Sequence, residues 1–108
     1  MTGKITGDEL VLVLATLANP HRLRVVAALA GGRNYVSRLA RELGISRALL
    51  QVHLRKLESA GLVRSTLELS DDGKAMKFYE VTSFAVNLTP KTIAHAASTI
   101  HVKEGPQL

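Results

Sequence analysis

Residues 36–63 read VSRLARELGISRALLQVHLRKLESAGLV, and the phase of their leucines and glycines decides the fold. A short helix is expected over about 36–43, with Leu39, Ala40 and Leu43 on its inner side. It stops at Gly44, where a left-handed turn carries no steric cost. Ile45 follows, then Ser46, a helix cap, and a longer helix runs to Ala60 with Leu50, Leu54 and Leu57 inward. Gly61 ends it. Two helices joined by so tight a glycine turn, with the small Ala40 where they cross, form a helix-turn-helix over about 36–60. Its second helix is the one offered to a DNA groove.

Working outward toward the C-terminus, the pattern becomes that of strands. Val63 to Leu69 leads into the polar run Ser70-Asp71-Asp72-Gly73. Lys74 to Val81 follows, with Met76 and Phe78, and Tyr79 and Val81 as further candidates, supplying strand-forming side chains around a D-G turn. A β-hairpin placed here, over about 62–82, is a wing. Leu88-Thr89-Pro90 then opens a last helix, about 90–102, with an Ile93, Ala97 and Ile100 stripe, before Gly105-Pro106.

Toward the N-terminus, Asn19-Pro20 caps a helix over Pro20 to Ala30, in which Leu23, Val26, Ala27 and Ala30 repeat at three and four, and Gly31-Gly32 stops it. Thr6 and Glu9 have the spacing of a capping box, so a first helix is expected over about 7–18. Its Leu10, Val11, Leu12, Val13, Leu14 and Leu17 surround the helix. In so small a chain the reading is that this helix lies between its own core and a second subunit, the alternative being burial within one domain. Leu10, Val13, Leu14 and Leu17, with Ile93, Ala97 and Ile100, are then the expected dimer interface. The fold class is mainly α with a small β-hairpin: a winged helix-turn-helix dimerising through its N- and C-terminal helices.

The 108 residues suit one domain, 1–108. With 4% aromatic residues and no Trp, the core is built from Leu, Val, Ile and Ala. The absence of cysteine removes disulfides, thiolate metal sites and cysteine nucleophiles, and agrees with a cytoplasmic location. Leu10 to Ala18 is too short for a membrane span, and Met1 to Gly7 carries one basic residue, so neither a membrane partner nor a signal peptide is expected. Between Pro20 and Arg64 stand nine basic residues and two acids, within a chain of net charge +5. A polyanion is the natural partner of charge so concentrated, a merely basic solvated surface being the alternative.

The segment from Leu17 to Val26, LANPHRLRVV, and the run HLRKLESAGLV from His53 to Val63 resemble the helix opening, and the recognition helix entering the wing, of ArsR-type regulators. The resemblance spans nearly the whole chain. It implies a dimer formed by the terminal helices and reversible repression of promoters. Members that sense metals before the recognition helix use cysteines, absent here. Others use Asp, His and Glu on the terminal helix; His95, His101 and Glu104 lie in that region, but a D-x-H pair is missing. His95 and His101 are also six apart, on opposed sides of a helix, so no metal and no cofactor is expected within one subunit, and a site combined across a dimer stays open.

Within this architecture Ser46, Arg47, Ala48, Gln51 and Val52 are the expected base contacts. Arg47 suits a guanine edge, Gln51 an adenine edge, and Ala48 or Val52 a thymine methyl. Arg38, Arg55, Lys56 and the wing residues Lys74 and Lys77 are expected at phosphates. Lys56, like Arg41, has an equally good reading as a partner for Glu42 or Glu58. Leu49 replaces the small hydroxyl residue common in the resembled family and is expected inward beside Leu50. His53 either fixes the recognition helix or contacts a phosphate. The function expected is a sequence-specific transcriptional regulator, a repressor that binds an inverted repeat in double-stranded DNA as a homodimer; its effector is not legible. A winged-helix module for protein or RNA contacts, and a DNA-coating protein, are the alternatives, and no catalytic constellation is present.

Overall fold

The computed structural model describes residues 5–101, which measure 54 × 32 × 21 Å. Five helices and three strands follow in the order α1 (Gly7–Leu17), α2 (Pro20–Ala30), β1 (Asn34–Tyr35), α3 (Val36–Leu43), α4 (Arg47–Ser59), β2 (Val63–Leu69), β3 (Ala75–Val81) and α5 (Pro90–Ala97).

The helix starts are where local chemistry puts them. Thr6 and Glu9 form the reciprocal capping box, Asn19 accepts from the N–H groups of His21 and Arg22, and Ser46 accepts from Leu49. The stops are equally local. Gly44 adopts φ 68°, ψ 32°, which lets the Ile45 N–H reach back to the Ala40 carbonyl at 3.1 Å and turns the chain sharply from α3 into α4. Gly61, at φ 75°, repeats the device, with Leu62 N–H donating to the Leu57 carbonyl at 2.9 Å and sending the chain into β2.

The core is aliphatic. Val13, Val25, Leu29, Leu39, Leu50, Leu54, Leu57, Leu62 and Val63 pack together from α1, α2, α3, α4 and the start of the wing, with Tyr79 closing one side. Thus α4 is held from below by three fully buried leucines, while its opposite face is free.

Several expectations about faces are corrected. On α2 the buried residues are Val25 and Leu29, and Leu23 is exposed. Five of its eleven residues are Ala or Val, so apolar spacing alone does not set the phase, and the neighbouring α4 and β3 do. On α1, Leu10 and Val13 are buried within the protomer and are not available to a second subunit, whereas Val11, Leu12 and Leu14 are exposed. The last helix stops at Ala97, short of the expected 102; a turn through Thr99 and Ile100 follows, and His101 N–H donates to Asp8 at 3.0 Å. Gly105-Pro106 and Glu104 lie outside the described residues.

The wing is more than a hairpin. Residues Asn34 and Tyr35 pair antiparallel with Tyr79 and Phe78, so the sheet has three strands in the order β1-β3-β2. A two-residue strand carries no periodicity from which sequence could predict it. The β2–β3 register runs from Val63 opposite Val81 to Leu69 opposite Ala75. The turn closes through Gly73 N–H to the Ser70 carbonyl, 2.9 Å, and through the Ser70 hydroxyl to Asp72.

At the other end of the chain, α1 and α5 lie against each other. The buried Gly7 donates its N–H to Thr99 Oγ1 at 2.7 Å, and any Cβ there would collide with the Ala96 carbonyl oxygen and the Ile100 side chain. Glycine is what allows the helices so close. The His101 ring meets the Asp8 carboxylate at 2.6 Å and holds that carboxyl below its ordinary range.

Candidate nucleic-acid interface

The free face of α4 is a consequence of its buried one. With Leu50, Leu54 and Leu57 inward at spacings of four and three, the intervening Arg47, Ala48, Gln51, Val52 and Arg55 are all exposed, in the phase expected. Leu49 departs from expectation: it is 40% exposed and not inward, because Leu50 alone occupies the inner position of that turn. An apolar side chain therefore joins the outward face.

Two hollows flank this face. One, of about 420 Å³, lies between α4 and the wing and brings Gln51 and Arg55 together with Lys77, alongside Tyr35, Ser37 and Tyr79. The other, of about 480 Å³, lies at the α3–α4 turn and gathers Ser46 and Arg47 with Arg41 and Ser37. Ser37, unnoticed in the sequence, borders both. It sits one residue into α3, a place that carries no signature until the helices are docked.

The cations divide by partner. Arg47, Arg55 and Lys56 are exposed and have no ion-pair partner among the described residues, and neither has Arg41. Arg38 instead lies 3.2 Å from Glu42 one helical turn on, which offsets its charge without burying it. Glu58 is engaged by the Ser65 hydroxyl at 3.1 Å, not by Lys56. On the wing, Lys77 Nζ lies 5.4 Å from the centre of the Tyr79 ring, and Lys74 shares its turn with Asp71 and Asp72. Asp72 is held ionised by the Ser70 hydroxyl and the Lys74 N–H, so the wing tip carries little net positive charge.

His53 resolves its two readings in favour of the structural one. It is 5% exposed, and its Nδ1 accepts from Arg22 Nε at 3.2 Å, while Arg22 Nη1 donates to the Thr16 carbonyl at 3.2 Å. His21 stacks on it with ring centres 5.4 Å apart. One guanidinium thus ties α4 to α1 through α2 and sets the height of the recognition helix. This link joins residues 31 apart in sequence and left no local trace there.

The tie has a pH signature. Burial first, then the charges of Arg22 and His21, hold the His53 pKa below the ordinary 6.5. As pH falls through that value the unfolded chain takes up the proton before the folded one does. The stability present above about 6.5 is therefore lost progressively below it. Melting temperature should drop between pH 7 and pH 5, and the slope should flatten in His53→Asn, which keeps an acceptor for Arg22 without a titrating ring. An equal slope in both proteins would remove His53 from the explanation.

Among the described residues no single helix is long and apolar enough to cross a membrane, and α1 and α2 bend by 94° at their junction. A glycine-turned helix pair with an exposed, unpaired cationic helix, flanked by a three-stranded wing, defines a winged helix-turn-helix DNA-binding protein.

The family model described as "Bacterial regulatory protein, arsR family" matches residues 19–65, from the cap of α2 into β2. An HTH-type transcriptional regulator of Methanocaldococcus jannaschii is 36% identical over 76 residues, which are 70% of this chain and 79% of that protein. The HTH-type regulator CmtR of Mycobacterium tuberculosis is 42% identical over 68 residues, 63% of this chain and 58% of CmtR. Among solved structures the transcriptional repressor BigR of Xylella fastidiosa superposes with a TM-score of 0.61 at 25% identity, covering 84% of this chain and 79% of that one. The chain belongs to the ArsR family of transcriptional regulators and is a DNA-binding regulator of transcription.

Proposed function

We propose that residues 1–108 form one DNA-binding unit that works as a homodimeric repressor on an inverted-repeat operator. The observation that carries this reading is the line of Arg47, Ala48, Gln51 and Val52 along the exposed face of a helix whose other side is locked into the core. Rigid support is what base readout needs, since hydrogen bonds to base edges discriminate only when donor and acceptor are held in place.

In this reading Arg47 and Gln51 contact base edges, with Ser46, Ala48 and Val52 beside them. Ser46 already spends its oxygen on the Leu49 N–H, which leaves its hydroxyl proton free to donate. Arg55, Lys56 and Lys77 hold phosphates. Arg38 and Lys74 contribute less, because Glu42 and the aspartates of the turn offset them. Dimerisation is supported by the apolar surface that the terminal helices leave outside: Val11, Leu12 and Leu14 on α1, and Ile93, Ala97 and Ile100 along and after α5. Leu17, half-buried, edges that surface. Two-fold symmetry then sets two copies of α4 about 34 Å apart, one turn of DNA. Repression rather than activation is supported by the likeness to BigR, itself a repressor. The activity is binding rather than catalysis, and its place is the cytoplasm.

Selection from random duplex DNA at two salt concentrations tests this. A palindromic motif with half-sites about 10 bp apart is the expected result. Enrichment of no motif, with binding lost uniformly as salt rises, would mean a DNA-coating protein.

A further inference from the structure

The wing carries an unclaimed edge. In the order β1-β3-β2, strand β2 is outermost, and among the described residues nothing pairs with its far side. Which residues face that side follows from the ends of the ladder. Ser70 N–H donates to the Lys74 carbonyl and Thr82 N–H to the Leu62 carbonyl, so the even-numbered residues from 62 to 70 bond to β3. Ser65, Leu67 and Leu69 therefore direct their N–H and C=O groups away from the sheet. The side chains of Leu67 and Leu69 are 68% and 77% exposed, the two most exposed large apolar residues described. An edge without proline, turned-in charge or covering loop is the surface to which another strand adds.

We propose that its occupant is the same edge of a second copy, giving an antiparallel β2–β2′ pair that joins one molecule's wing to another's. The charges choose the register. Free backbone groups must meet free ones, so odd residues pair with odd, which leaves a few two-fold arrangements. Centring the pair on Arg64 or on Glu68 sets like charges face to face. Centring it on Ser65 or Leu67 leaves both charges without a partner across the axis. Centring it on Thr66 sets Arg64 opposite Glu68 of the other copy, twice, while Leu67 meets Ser65 and Leu69 meets Val63. Arg64 already pairs with Glu80 at 2.8 Å and Glu68 with Arg33 at 2.6 Å. The new contact therefore extends two ion pairs into one row of alternating charge on the Phe78 side of the sheet. The contact is isologous and self-limiting at each wing. On DNA it would link neighbouring bound molecules and make their binding cooperative.

The cysteine-free chain permits a direct test. Thr66 lies on the two-fold, in a pair with Cα atoms about 4.5 Å apart, within the span of a disulfide. Thr66→Cys under mild oxidation should cross-link about tenfold or more faster than Asp71→Cys, which is likewise exposed, at the wing tip, but lies off the axis. Adding Arg64→Glu to Thr66→Cys should slow cross-linking, and adding Glu68→Arg as well should restore it. Within one chain that double change breaks both existing ion pairs, so rescue has no intramolecular explanation. Equal rates at Thr66 and Asp71, or a double change worse than the single, would overturn the proposal. So would capture of an unrelated extended peptide on β2 with no self-association. Because the cross-link reports position, the result does not depend on whether the terminal helices dimerise.

Discussion

Leu50→Ala should lower the free energy of unfolding by about 2–5 kcal/mol, while Leu49→Ala, one residue away, should change it by only about 0.5 kcal/mol. Leu50 is 0% exposed among Leu39, Leu54 and Leu57, and removing three carbons there leaves a cavity that helices pinned by Gly44 and Gly61 cannot close. Leu49 is 40% exposed and gives up little burial. Domains of this size hold about 5–15 kcal/mol in total, so the first change consumes a large part of the margin. Urea titration of both variants checks it. Similar losses would mean that α4 is rotated by about one residue, roughly 100°, and that Gln51 and Arg47 do not share the outer face.

Gln51→Ala should weaken binding to the selected operator by about 1–3 kcal/mol, roughly 5- to 150-fold, and leave binding to unrelated duplex nearly unchanged. Gln51 is exposed in the hollow between α4 and the wing, four residues beyond Arg47, and carries no charge, so its loss leaves the electrostatic attraction intact. The salt slope should not move. Lys77→Ala, across the same hollow, should do the reverse, weakening all sequences alike and lowering the slope by about one. Titrations of operator and random duplex at several salt concentrations separate the two. A uniform loss for Gln51→Ala would place it at a phosphate and transfer base readout to Arg47 alone.

Most of the helix-turn-helix was legible because its punctuation is local. Thr6 with Glu9, Asn19 with Pro20, and Ser46 each cap a helix with atoms within three residues, and Gly44 and Gly61 end helices by their own backbone freedom. The outer face of α4 followed from the same turn, since three leucines at four and three leave one phase. Where apolar residues crowd α1 and α2, the sequence allowed several phases: Leu10 and Val13, expected at a partner, are buried within the protomer, and the expected α2 repeat of Leu23, Val26, Ala27 and Ala30 is not the buried one, which is Val25 and Leu29. Strand β1, the Arg22–His53 tie and the hollow that joins Gln51 to Lys77 were not visible at all.

The sequence by itself determined where each of these helices starts, where α1 to α4 stop, that a hairpin follows them, and which charges cluster over the helix pair. These depend on interactions spanning three or four residues, which any fold containing them must satisfy. The tertiary structure decided which apolar faces are spent inside the protomer, which arginines are already paired, and which strand edge is left open. Those outcomes depend on volume and charge contributed by segments distant in the chain, as Arg33 finding Glu68 35 residues away illustrates, although Arg38 with Glu42 is a pair one helical turn apart.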